Sequence, residues 1–144
     1  MIIRSLAVLL LVVLALPVSA AEATCPLSYQ RWISNELPSL KSWGALHKSF
    51  RKYVPRCDDG FMAEGYTEAV VVLLAKRWSS VHELAAVAKR DPSFSKFVLR
   101  HINASADPDD LNRIKEQAAT QCSSKHKALC SAVHGAAVKA IEDL

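Results

Sequence analysis

The sequence predicts an all-α fold, a compact bundle of about six or seven short helices closed by two disulfides. Three observations predict it. Apolar residues recur at three- and four-residue spacing along most of the chain, and no stretch alternates apolar with polar residues as a strand would. Only four glycines interrupt the 144 residues. The four cysteines, an even set, all lie beyond an N-terminal segment of export type.

That segment comes first. Arg4 supplies a positive start, Leu6 to Leu16 an apolar stretch, and Val18-Ser19-Ala20 a small-residue cleavage site, so residues 1–20 read as a signal peptide. An eleven-residue apolar run is too short to span a bilayer, which needs about 20, and no later run exceeds the seven of Ala69 to Ala75. No membrane span is expected in the mature chain. Residues 21–144 are expected to form a single helical domain, a size suited to one core. Export places Cys25, Cys57, Cys122 and Cys130 in an oxidising compartment, periplasmic or extracellular, where they pair. Of the three possible pairings, Cys25 with Cys57 and Cys122 with Cys130 is preferred, because each ties sequence-adjacent helices at their ends.

The first helix is expected over Ser28 to Glu36, with Tyr29, Trp32, Ile33 and Leu37 at helical spacing before Pro38. The second begins near Ser39, carries Leu40, Trp43, Leu46, Phe50 and Tyr53 on one face, and is expected to stop at Pro55. Asp58-Asp59-Gly60 forms a capping turn into a third helix, Phe61 to Trp78, apolar all round at Val70 to Leu74 and so placed centrally. Ser80 and Glu83 have capping-box spacing and open a short helix through Lys89. Asp91-Pro92 and Asp107-Pro108 each set an N-cap before a proline, opening helices to Ile102 and to Gln121. The last helix spans Lys125 to Asp143 with Cys130, Val133, Ala137, Ile141 and Leu144 on one stripe. A matching stripe of Leu111, Ile114, Ala118 and Cys122 precedes it, so a Cys122–Cys130 bridge closes a hairpin.

Charge is mild overall but segregated. Without Arg4 there are 17 basic and 14 acidic residues, a net of +3. Lys41, Lys48, Arg51, Lys52 and Arg56 crowd the second helix with no acid among them, whereas Asp58, Asp59, Glu64 and Glu68 come next with no base. Glu64 and Glu68 are i,i+4 and share a helix face, so the four carboxylates are a candidate binding cluster, or the acid and base of a cell-wall-acting enzyme. Capping and dipole complementation account for the same residues structurally. Lys48, Arg51 and Lys52, interleaved with aromatics, are a candidate surface for an acidic partner or anionic surface, although any amphipathic helix divides its faces this way. Nucleic acid is not an expected partner.

Other chemistry is thin. The five histidines show no zinc spacing, Asp107 to Asn112 lacks the ligand frame of a calcium loop, and no nucleophile elbow or phosphate loop occurs. No cofactor, metal or catalytic residue is assigned. His101 shares an apolar face with Phe94, Phe97 and Val98, which makes it a buried, hydrogen-bonded histidine. Gly65 inside a helix calls for a packing reason. Asn103-Ala104-Ser105 matches a glycosylation acceptor.

In its signal peptide, mature length, helices and paired cysteines, the chain resembles the small exported helical proteins of Gram-negative bacteria. That group includes the periplasmic immunity proteins that neutralise cell-wall amidases delivered by type VI secretion. The resemblance is one of class and carries over no site residue. It implies a periplasmic or secreted, non-catalytic helical protein that binds another exported protein, as an inhibitor or immunity-type partner.

Overall fold

The computed structural model describes residues 24–144; the expected signal peptide and its cleavage site lie outside the described residues. Within them are seven α-helices and no strand: α1 (Tyr29–Arg31), α2 (Trp43–Cys57), α3 (Gly60–Lys76), α4 (Val81–Arg90), α5 (Pro92–Arg100), α6 (Pro108–Thr120) and α7 (Lys127–Glu142). Both preferred disulfides are present, Cys25–Cys57 and Cys122–Cys130, with Cα separations of 4.9 and 6.2 Å. The all-α, disulfide-tied bundle is therefore what the chain forms.

The caps explain most helix starts. Ser42 Oγ accepts from the Ala45 amide, Asp91 Oδ1 from Phe94, and Asp107 Oδ1 from Asp109 and Asp110. Ser80 departs from its expected role: its hydroxyl donates to the Arg77 carbonyl and accepts from Trp43 Nε1 at 3.0 Å, so no capping box forms. The indole, buried in the core, needs a polar partner and takes the hydroxyl that would have capped α4.

Two other expectations are corrected. α2 does not stop at Pro55 but runs through it to Cys57. Pro55 lies in the last turn, where its ring removes only the bond that an amide would give to the Arg51 carbonyl, and the Cys57 disulfide anchors the end of the helix. After Ser28 caps α1, the backbone widens into a π turn, Trp32–Glu36, and then tightens into a 3-10 turn, Leu37–Ser39. The changed residues-per-turn breaks the expected stripe: Trp32 is buried and Leu37 half-buried, but Tyr29 and Ile33 face solvent. Leu144 also misses its stripe, since α7 ends at Glu142 and leaves it exposed.

The central position of α3 is borne out. Its Met62, Tyr66, Val70, Leu73 and Leu74 are buried, and it packs on α2 and α6. Gly65 admits the Trp32 indole: a Cβ there would lie 2.8 Å from Cζ2 of that ring. α6 and α7 form the disulfide-closed hairpin, joined by a 3-10 turn at Ser124–His126. One continuous hydrophobic cluster links α2 to α7 and takes in Trp32 of the π turn.

Candidate functional site

The four acids from Asp58 to Glu68 follow one another in the sequence without a base, and the structure disperses them. Asp59, the N-cap of α3, accepts from the Gly60 amide at 2.7 Å and is exposed. Asp58 points the other way. Its carboxylate is largely buried, ion-paired through Oδ2 with Arg100, with Oδ1 3.1 Å from Nε2 of His101. Asp58 Oδ1 and His101 Nε2 face each other off the line of a good hydrogen bond and have no other partner. His101 Nδ1 lies 2.9 Å from Thr67 Oγ1, which Asn103 Nδ2 approaches at 3.3 Å.

Asn103 donates through Nδ2 to Thr67 Oγ1, and the same hydroxyl shares a hydrogen bond with His101 Nδ1. Burial pushes the His101 pKa below its ordinary value near 6.5, against the opposing pull of the Asp58 charge. His101 is thus the buried, hydrogen-bonded histidine expected from its helix face, and the row Asp58–His101–Thr67 pins α5 to α3 and to the turn before it. A hydroxyl, an imidazole and a carboxylate in line are also the parts of a nucleophilic site. Here both Thr67 and His101 are buried, Asn103 donates to Thr67 Oγ1, and the Asp58 carboxylate is ion-paired with Arg100. Asn103 has its amide nitrogen on Thr67 and the Arg100 carbonyl, and its oxygen accepts from Ser105.

Glu64 and Glu68 lie elsewhere, exposed on the rim of a groove of about 740 Å³ between α3 and α6. Neither Asp58 nor Asp59 lines it, so the four carboxylates expected to cluster form two separate groups. Its charges are partly matched internally, as Lys76 Nζ pairs with Asp110 Oδ2 at 3.1 Å. Among the described residues no group of histidine, cysteine and carboxylate side chains is arranged to hold a metal ion.

The basic face of α2 splays. Arg51 turns to α5 and meets Asp91 at 3.6 Å, a carboxylate already held by His47 at 2.9 Å. Bonds from Ser93 and His47 hold the Asp91 pKa down to about 2. Lys52 instead lies over the Tyr53 ring, 4.7 Å from its centroid, and Lys48 is exposed. What joins Arg51 is a pair absent from the candidate set, Lys96 and Arg100 of α5, around a groove of about 560 Å³ floored by Phe50, Val54 and Phe97.

A second surface also escaped the sequence. Tyr29 and Phe61 meet edge to face, 4.8 Å between centroids, yet remain 55% and 41% exposed, and Ile33 is 38% exposed one turn along. Beside them the Cys25–Cys57 bridge, Met62 and Arg56 line a hollow of about 370 Å³. Three of the four large exposed hydrophobic side chains among the described residues thus belong to α1, its π turn and the start of α3. In comparisons with known proteins, no family model, no curated protein and no solved structure matches this chain.

Proposed function

We propose that the chain is an exported, non-catalytic binding protein, periplasmic or secreted, whose partner is another exported protein. The carrying observation is the exposed Tyr29–Phe61 pair with Ile33. An aromatic pair held open to solvent beside a disulfide and an arginine has the composition of an interface hot spot, and the Cys25–Cys57 bridge restricts the chain beside it. Two disulfides suit an oxidising compartment. The dispersal of the four carboxylates favours binding over acid–base chemistry, and the class resemblance to immunity proteins points the same way.

Site-specific photocrosslinking in the exporting cell tests this. A crosslinker in place of Phe61 should give one discrete adduct with an exported protein, and one in place of the exposed Glu116 on α6 should not. Tyr29→Ala should remove the Phe61 adduct without shifting the thermal midpoint appreciably. Equal labelling at both positions, or none at either, refutes the docking surface.

A further inference from the structure

A different feature carries a second site, independent of protein docking. α2 and α5 are held apart by an aromatic layer in which Phe50 meets Phe94 and Phe97 at centroid distances of 5.4 and 5.0 Å. Above that layer the groove opens, floored by Phe50, Val54 and Phe97 and rimmed by Arg51, Lys96 and Arg100. Both walls are basic. From Leu37 to Cys57 the chain has no acid, and between Asp91 and Asp107 it has none. Asp91 and Asp58 partner Arg51 and Arg100, but neither carboxylate lines the groove, and Lys96 pairs with no carboxylate among the described residues. Pro55, also in the lining, removes the amide that would bond the Arg51 carbonyl.

We propose that this groove binds a small anion with an apolar body, a free single-chain amphiphile of the fatty-acid class, with its head on Lys96 and Arg51 and its chain on Phe50 and Val54. Charge complementarity sets the head and the aromatic floor sets the tail. The volume, about 560 Å³, is that of a small-ligand site. A bilayer is the wrong source for the head group: the apolar side chains are recessed beneath the cations, Phe97 being buried, so a chain must enter the groove and the groove cannot insert into a membrane.

The test is a titration of the disulfide-intact protein with sodium decanoate below its micelle concentration, monitored by amide NMR shifts. The expected result is saturable one-to-one binding with shifts confined to residues 50–55 and 93–100. Lys96→Glu should weaken it by about tenfold with the melting curve retained, and Arg51→Glu similarly. Decanol should bind at least as much more weakly, and acetate should not saturate. Absence of saturation, shifts centred on Tyr29 and Phe61, an unchanged affinity in Lys96→Glu, or groove shifts with phosphatidylglycerol vesicles but not with decanoate would each overturn the proposal.

Discussion

Gly65→Ala should destabilise this protein although it adds a better helix former, and one contact decides the sign. In an exposed helix interior the change stabilises by about 1 kcal/mol. At Gly65 the new Cβ would meet Cζ2, Nε1 and Cε2 of Trp32 at 2.8, 3.0 and 3.1 Å. The indole is 1% exposed and packs edge-on against Tyr66 at 4.8 Å, so it cannot swing aside as the end of a flexible chain would. Overpacking of this kind costs about 1–3 kcal/mol, which outweighs the propensity gain and leaves a net loss of about 1 kcal/mol, or about 4 °C in a domain of this size. Gly135 supplies the control. It sits within α7, exposed, with nothing within 4 Å of its added Cβ, so Gly135→Ala should raise the midpoint by about the same amount. Thermal melts recorded by far-ultraviolet circular dichroism read both. Pairing Gly65→Ala with Trp32→Phe should cost less than the sum of the two single changes, because the smaller ring vacates the contact. If Gly65→Ala melts above the wild type, the close approach of α3 to the π turn is not what selects glycine there.

Acid and reduction give two more expectations. Because burial lowers the pKa of His101 in the folded state, the unfolded chain takes up that proton first as pH falls. The stability contributed is then fully present above about pH 6.5 and is lost as pH falls through the folded-state pKa. Urea midpoints should fall between about pH 7.5 and 5, and the fall should be shallower in His101→Asn; a parallel decline in both proteins sinks the assignment. The disulfides close loops of 32 and 8 residues, for which chain entropy gives about 3.7 and 2.5 kcal/mol. Replacing Cys25 and Cys57 by serine should therefore lower the urea midpoint further than replacing Cys122 and Cys130. The reverse order would show that the α6–α7 hairpin depends on its bridge for more than chain entropy.

Local signals were legible in the sequence and long-range ones were not. Asp91 and Asp107 cap where an acid before a proline should, and the buried stripe Cys130, Val133 and Ala137 is dictated by spacing alone. Ser80 shows the limit. Its capping-box spacing to Glu83 is intact, yet its hydroxyl bonds Trp43, 37 residues earlier in the chain, and no local pattern registers that contact. Lys96 and Arg100 escaped notice for a related reason: each is an ordinary exposed cation until the fold brings α5 beside α2.

Asp58 and His101 show what such competition does to functional inference. Two adjacent acids before a glycine read as a cap, but only one can occupy the N-cap, and Asp59 holds it with an extended backbone. Asp58, one residue earlier, is released from capping and pairs with α5 instead, which turns one of the four candidate carboxylates into a tie between the turn and α5. The burial of His101 could be foreseen from its helix face, whereas its partners could not. The opposite failure is the informative one. Tyr29 and Ile33 stand in an apolar pattern that demands burial, and a π turn rotates them into solvent, where Phe61 joins Tyr29. The turn buries Trp32 against Gly65 and Tyr66, and the Tyr29–Phe61 contact still leaves much of both rings open, so a use for that open apolar surface is sought in a partner. The proposed docking surface therefore lies at α1 and the start of α3 and not at the carboxylates, of which Asp58 is ion-paired, Asp59 caps α3, and Glu64 and Glu68 sit apart on another groove.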